Sequence, residues 1–141
     1  MASRALLAVA ARSLAGEDDV TLPQFRALVV LAGEQNLSVG QLAQALDIQT
    51  STATRLCDRL ERKKLIRRKV SDRDRRSVDV QLAPDGRRLV ARVYARRRRD
   101  IARTASRMSP AARTQAAAAL TAFAEAAGEN HADESFRRAE S

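Results

Sequence analysis

The chain has 141 residues, which fits one domain of ordinary size. Hydrophobic residues make up 45%, which excludes wholesale disorder, and a single cysteine, Cys57, excludes an internal disulfide framework. Lys and Arg number 26 against 17 Asp and Glu, a formal charge of +9 that points to a polyanionic partner, most often nucleic acid.

The opening MASRALLAVAARSLAG has an early Arg and a short apolar run, as a secretory leader does. Arg12 interrupts that run, and it is too short to span a bilayer. It reads as an amphipathic helix over residues 3–15, with Leu6, Leu7, Ala10 and Leu14 on one face. The chain is therefore expected to be cytoplasmic, without a membrane partner. Gly16 and the acidic Glu17-Asp18-Asp19 end this segment.

Two capping boxes follow. In Thr21-Leu22-Pro23-Gln24, Thr21 caps a second helix and Gln24 reaches back, with Val20 and Phe25 as a hydrophobic staple. Phe25, Leu28, Val29 and Ala32 make its buried face, and Gly33 marks its end. In Ser38-Val39-Gly40-Gln41 the device repeats, with Leu37 and Leu42 as the staple. Leu42, Ala43 and Leu46 face inward along this short third helix, and Asp47 stops it.

A fourth helix runs from about Thr50 to Lys63. Ala53, Leu56, Cys57 and Leu60 form its apolar stripe and dock it on the third helix. Its first turn, Gln49-Thr50-Ser51-Thr52, is small, polar and free of acids, suited to base edges and phosphates. Ordinary helix capping explains such residues equally well. Arg55 one turn on, and the basic segment behind, favour the nucleic-acid reading. In that segment Ile66, Arg68 and Val70 alternate with Arg67 and Lys69. Beyond the charged tip Asp72-Arg73-Asp74-Arg75-Arg76, Val78, Val80 and Leu82 alternate with Asp79 and Gln81. Period two on both sides of a polar turn is a hairpin.

A long helix is expected from Pro84 to about Arg107, striped by Leu89, Val90, Val93, Tyr94, Ile101 and Ala105. The four consecutive arginines from Arg96 to Arg99 point around it, so they cannot all serve one surface. Ser109 and Pro110 start a last helix whose buried side is Ala116, Leu120, Phe123 and Ala127, with Gly128 as its stop. Residues 129–141 form a polar tail. The fold class is mostly α with a small β-hairpin wing (α+β).

No catalytic constellation stands out. His131 is alone in the tail and the five glycines are scattered, so no triad, metal site, cofactor or phosphate loop is expected, and the chain is not read as an enzyme. Cys57 lies on the buried stripe, where a cysteine behaves as a small hydrophobe rather than a redox sensor.

The order helix, helix, short helix, recognition helix, hairpin, two helices resembles the MarR family of winged helix-turn-helix transcriptional regulators. TLPQFRALVVL resembles that family's second helix, and LSVGQLAQAL with STATRLCDRLERKKLI its helix-turn-helix. DRDRRSVDVQLAPDGRRL resembles its wing and the start of its dimerisation helix. The resemblance runs from about residue 3 to residue 127. It implies one domain over residues 1–128, with a winged-helix part at 20–83 and N- and C-terminal dimerisation helices at 1–19 and 84–128. It also implies that Gln49, Thr50, Ser51, Thr54 and Arg55 face the major groove. Arg76 matches the wing arginine of the minor groove, Arg73 and Arg75 are close enough to assist, Asp58 matches a position that pairs with that wing arginine, and Asp58 and Asp74 brace wing to helix. An i, i+4 pair of Asp58 with Arg62 is the local alternative for that carboxylate. Three positions depart from the family pattern: Lys64 where a Gly usually ends the recognition helix, Gln49 where a Ser caps, and Ala83 before the long helix.

The expected function is sequence-specific binding of double-stranded DNA at a pseudo-palindromic operator. The expected form is a homodimeric repressor released by a small effector seated between dimer helices and winged domain. A basic architectural protein that coats nucleic acid without operator specificity would share the charge and the helices, and sequence dependence at matched salt separates the two.

Overall fold

The computed structural model describes residues 2–16, 20–34, 36–71 and 76–127. Along them run α1 (Ala2–Leu14), α2 (Leu22–Gly33), β1 (Leu37–Ser38), α3 (Val39–Leu46) and α4 (Thr50–Arg62). Then come β2 (Ile66–Val70), β3 (Val78–Leu82), α5 (Pro84–Ala105) and α6 (Pro110–Ala126). The fold is mostly helical with a small antiparallel sheet, as the sequence implies. That sheet has three strands in the order β1-β3-β2 rather than the hairpin alone. Two residues are too few to show an alternating pattern, so β1 leaves no periodic trace in the sequence.

The chain divides into two compact units. The unit Gly16–Val93 holds α2 through β3 and the first turns of α5. Both capping boxes form in it. Thr21 accepts from the Gln24 amide while Gln24 accepts from the Thr21 amide, and Ser38 and Gln41 do the same. Gln24 is also buried, because its carbonyl oxygen accepts from Lys63 Nζ at 3.2 Å as well. That draws the buried face of α2 around to Gln24, Phe25, Ala27, Leu28 and Leu31. Val29 and Ala32, expected inside, are half-buried. The run Leu28 to Ala32 has no polar position to fix the face, so tertiary packing fixes it.

Leu42, Ala43 and Leu46 of α3 are buried as their spacing predicts, against Ala53, Cys57 and Leu60 of α4; Leu56 is half-buried. Both helices end in the same way. Asp47 follows α3 in the left-handed region (φ 54°), and the Ile48 and Asp47 amides donate to Ala43 and Gln44. Lys64 follows α4 at φ 58°, and the Leu65 and Lys64 amides donate to Leu60 and Glu61. This is the paired 6→1 and 5→2 closure usually built on glycine. Asp tolerates that backbone; Lys is strained there by about 1–2 kcal/mol.

The sheet closes the unit. Ile66 pairs with Leu82 and Val70 with Val78, and Leu37 pairs with Val80 from the other side. Ile66, Val80 and Leu82 are buried. Val70 and Val78, at the far rung, are 56% and 46% exposed, so the wing's apolar alternation stops before its end. Ala83 donates to the Leu65 carbonyl at 3.0 Å, and α5 then starts at Pro84. Gly86 is packed on that same carbonyl. A Cβ there would fall inside the van der Waals envelope of the Leu65 oxygen and 2.8 Å from Leu82 Cδ1.

The second unit holds α1, the rest of α5 and α6. Asp100 is buried, 4.0 Å from Arg12 and bonded to Arg103, and Arg96 donates to the Ala15 carbonyl at the end of α1. Arg97 lies over the Tyr94 ring at 5.4 Å. Ser109 caps α6, accepting from Ala112. The apolar side expected for α6 faces outward in the single chain, Leu120 at 53% and Phe123 at 74% exposed. The Leu6 and Leu7 side chains, Gly128 and the tail from 129 to 141 lie outside the described residues.

Gly86→Ala should lower stability by about 2–3 kcal/mol, because the intruding methyl meets backbone that cannot swing away. A fall in the urea midpoint checks this; an unchanged midpoint would mean that α5 moves off Leu65 without cost. Cys57 gives a pH-dependent outcome. Burial pushes its thiol up, Arg68 opposes the shift, and Asp58 and Glu61 add to it. The folded thiol therefore keeps its proton to higher pH than the unfolded one. Its contribution is complete below the unfolded pKa and is lost as pH rises through the folded value. The urea midpoint should fall between pH ~7 and ~10, and Cys57→Ala, less stable throughout, should show a shallower fall. Equal slopes would contradict the assignment.

Candidate nucleic-acid interface

The recognition element is built from its start. Asp47 in the left-handed region turns the chain sharply after α3, and Gln49 enters α4 extended at φ −67°, ψ 144°. Gln49 makes no side-chain cap bond, so its amide is not drawn back onto the helix. Gln49, Thr50, Ser51, Thr54 and Arg55 are all exposed, while Ala53 and Cys57 between them are buried. The sequence reading placed these five on one reading surface, and their exposure is consistent with it. Thr54 donates its hydroxyl to the Thr50 carbonyl at 2.9 Å, which leaves its oxygen as an acceptor. No acid occupies the first turn of α4. Its amide dipoles therefore face outward unneutralised, an arrangement that favours an anion.

The acids of α4 come later, and one cation holds them. Arg68 of β2 donates to Asp58 Oδ1 at 2.6 Å and to Glu61 Oε2 at 2.5 Å. The hydrogen bond that Arg68 donates to Asp58 leads the causes that raise the Arg68 pKa, with the Glu61 and Asp58 charges behind it and burial opposing. The sequence offered Arg76 or Arg62 as partner for Asp58. Arg62 Nε reaches only the Asp58 carbonyl, at 3.4 Å, and Arg68 takes the carboxylate. Arg68 was read only as an alternating strand residue. Asp58 and Glu61, three apart on one helix face, were the sequence signal that a cation had to come from the next element. Lys63 is the other residue missed: it ties the end of α4 to the capping box of α2.

At the wing, Ser71 donates to the Ser77 carbonyl at 2.9 Å just beyond the last strand pair. Arg76 is exposed next to that closure. Arg73, Asp74 and Arg75 lie outside the described residues. Among the described residues no cluster of three or more His, Cys, Asp or Glu could hold a metal ion. No described helix is long and apolar enough to cross a membrane.

Comparison with known proteins gives a consistent result. A model described as the MarR family matches residues 18–77. The chain is 33% identical over 108 residues to the HTH-type transcriptional repressor MdtR of Bacillus subtilis, a match covering 77% of this chain and 70% of that protein. It spans about three fifths of the length of two other B. subtilis HTH-type regulators that it matches. Among solved structures, RV1404 from Mycobacterium tuberculosis superposes with a TM-score of 0.85 at 41% identity, over 90% of this chain and 87% of that one. A mutant of Staphylococcus aureus MepR bound to an oligodeoxyribonucleotide gives 0.69 at 28% identity, over 89% and 92%. MepR bound to ethidium bromide gives 0.69 at 29% identity, over 89% and 90%. With a repressor relative matched over more than two thirds of its length, the chain belongs to the MarR family of winged helix-turn-helix transcriptional regulators.

Proposed function

We propose that the protein is a homodimeric, sequence-specific DNA-binding repressor released by a small ligand. The observation that carries this is the acid-free start of α4 with Gln49, Thr50, Ser51, Thr54 and Arg55 exposed, the later acids Asp58 and Glu61 being held together by Arg68. Its polar groups suit base edges in the major groove, and the bare helix start suits phosphate. Arg76, with Arg73 and Arg75, is assigned to the minor groove beside it, and Asp74 to the wing brace with Asp58. Residues 20–83 are taken as the reading head, and 1–19 with 84–128 as the dimerisation part.

The exposed Leu120 and Phe123 of α6, and Ile101 at 47% exposed on α5, support a second copy as the cover for these faces. Two heads related by a twofold axis would read a pseudo-palindrome. That MepR has been solved with DNA and with ethidium bromide supports the operator and the effector by analogy. A cytoplasmic location follows from this role.

Binding-site selection from random duplex DNA at near-physiological salt tests the proposal. The expected product is an inverted repeat with half-sites about one helical turn apart, roughly 10 bp. Binding without an enriched motif would overturn sequence specificity. On the selected site, Arg55→Ala should relax base choice in each half-site by about 1–3 kcal/mol if Arg55 is bidentate to a base. A uniform loss across all sequences would make it a phosphate contact. Arg76→Ala should weaken binding and change preference at the minor-groove positions; unchanged binding would remove its assigned role.

A further inference from the structure

The outer face of the sheet carries a polar row that the reading surface does not use. Asn36, just before β1, is held at φ 65° and accepts from the Gln81 side-chain amide of β3. Gln81 in turn accepts from Arg67 Nε of β2 at 3.0 Å, and Arg67 and Gln81 are register partners. The row thus fixes the guanidinium of an exposed arginine through one nitrogen and leaves its two terminal nitrogens without a bond among the described residues. Beside it opens a cavity of about 440 Å³, lined by Asn36, Arg67, Lys69, Gln81, Leu82 and Arg87. Arg68 also contributes to the wall, but its head group is held by Asp58 and Glu61.

The charge there is one-sided. Among the described residues Arg67, Lys69 and Arg87 line the cavity, and no acid does. Asp79, on the same sheet face, lies one rung on, opposite Lys69, and is not part of the wall. Asp85, the acid nearest Arg87 in the chain, is bonded to Arg88. Arg87 makes no ion pair among the described residues. The guanidinium-bearing chains of Arg67 and Arg87 share one concavity, an arrangement that favours an anion between them. A volume in the range of small-ligand pockets, ~300–1,000 Å³, exceeds what an inorganic ion would fill. The mainly polar wall disfavours an apolar body.

We infer that this cavity binds a small, multiply charged organic oxyanion, a phosphate ester or polycarboxylate, between the guanidinium groups of Arg67 and Arg87. Planar forks suit carboxylate and phosphate oxygens in a bidentate manner, and the Gln81 bond sets the Arg67 fork in advance. The inference is independent of the proposed repressor function, since Arg67 and Arg87 are not among the groups assigned to DNA.

The test uses the full chain, labelled with nitrogen-15, and follows the Arg67 Nε–H and the Gln81 and Asn36 side-chain amides. Citrate and glucose 6-phosphate are titrated with ionic strength held constant by sodium chloride, and benzoate and a random duplex DNA serve as separate arms. Saturable shifts of these signals with citrate or glucose 6-phosphate, weakened at least tenfold in both Arg67→Gln and Arg87→Gln but not in Arg113→Gln, are expected. Each variant is first checked for a native spectrum. No saturable shift with either probe would overturn the inference, as would shifts that the two variants leave unchanged. A response to benzoate alone would replace it with an apolar site, and a response to DNA alone with a phosphate contact of the nucleic acid.

Discussion

Leu65 is where the unit Gly16–Val93 is held together. Its amide closes α4 by donating to Leu60, and its carbonyl accepts from Ala83 where the wing returns. Gly86, at the first turn of α5, rests on the same carbonyl. One peptide therefore ends the recognition helix, begins the wing and seats the following helix. The left-handed Lys64 before it is the local strain that this junction accepts. A glycine would relieve it, but the unfolded chain would then gain freedom, so the net difference is small, on the order of 1 kcal/mol or less. That explains how the family's usual glycine can be absent while the junction persists.

Charge is sorted by neighbourhood in this chain. Arg68 is spent on the recognition helix's own acids. Those pairs are partly exposed, so their net stabilisation is slight, roughly 0–1 kcal/mol. Their larger effect is local: they orient β2 against α4 and offset one of the two negative charges that would repel phosphate. In the second unit, Arg96 closes the end of α1, Arg97 stacks on Tyr94, and Arg12 and Arg103 meet the buried Asp100. The run of four arginines is thus not one basic surface, as the 3.6-residue helical period requires.

Much of the architecture was legible because its signals are local. Thr21 with Gln24 and Ser38 with Gln41 place helix starts through bonds three residues apart, and Ser109, ahead of Pro110, does the same by accepting from the Ala112 amide. The alternation from Ile66 to Leu82 gave the hairpin. What was hidden depends on residues distant in sequence. β1 exists only because β3 passes beside it, and Gln24 is buried only because Lys63 arrives from the far end of α4. The facing of α2 was undetermined in a helix apolar nearly all round. For the site, exposure of Gln49, Thr50, Ser51, Thr54 and Arg55 followed from the period of the buried stripe, whereas the partner of Asp58 required knowing where Arg68 stands across the turn.

Ser38 belongs to two elements at once. It pairs with Asp79 in the sheet, and its hydroxyl caps α3. The helix-turn-helix can form from contacts between near neighbours, which assemble fast. The pairing of β1 with β3 must wait until residues on both sides of that unit meet, and the entropy of closing the intervening loop delays it. Folding kinetics should therefore be set by the smallest strand in the molecule. The same closure makes that strand a latch, because opening it frees the wing and unmoors the start of α3 in a single local unfolding event.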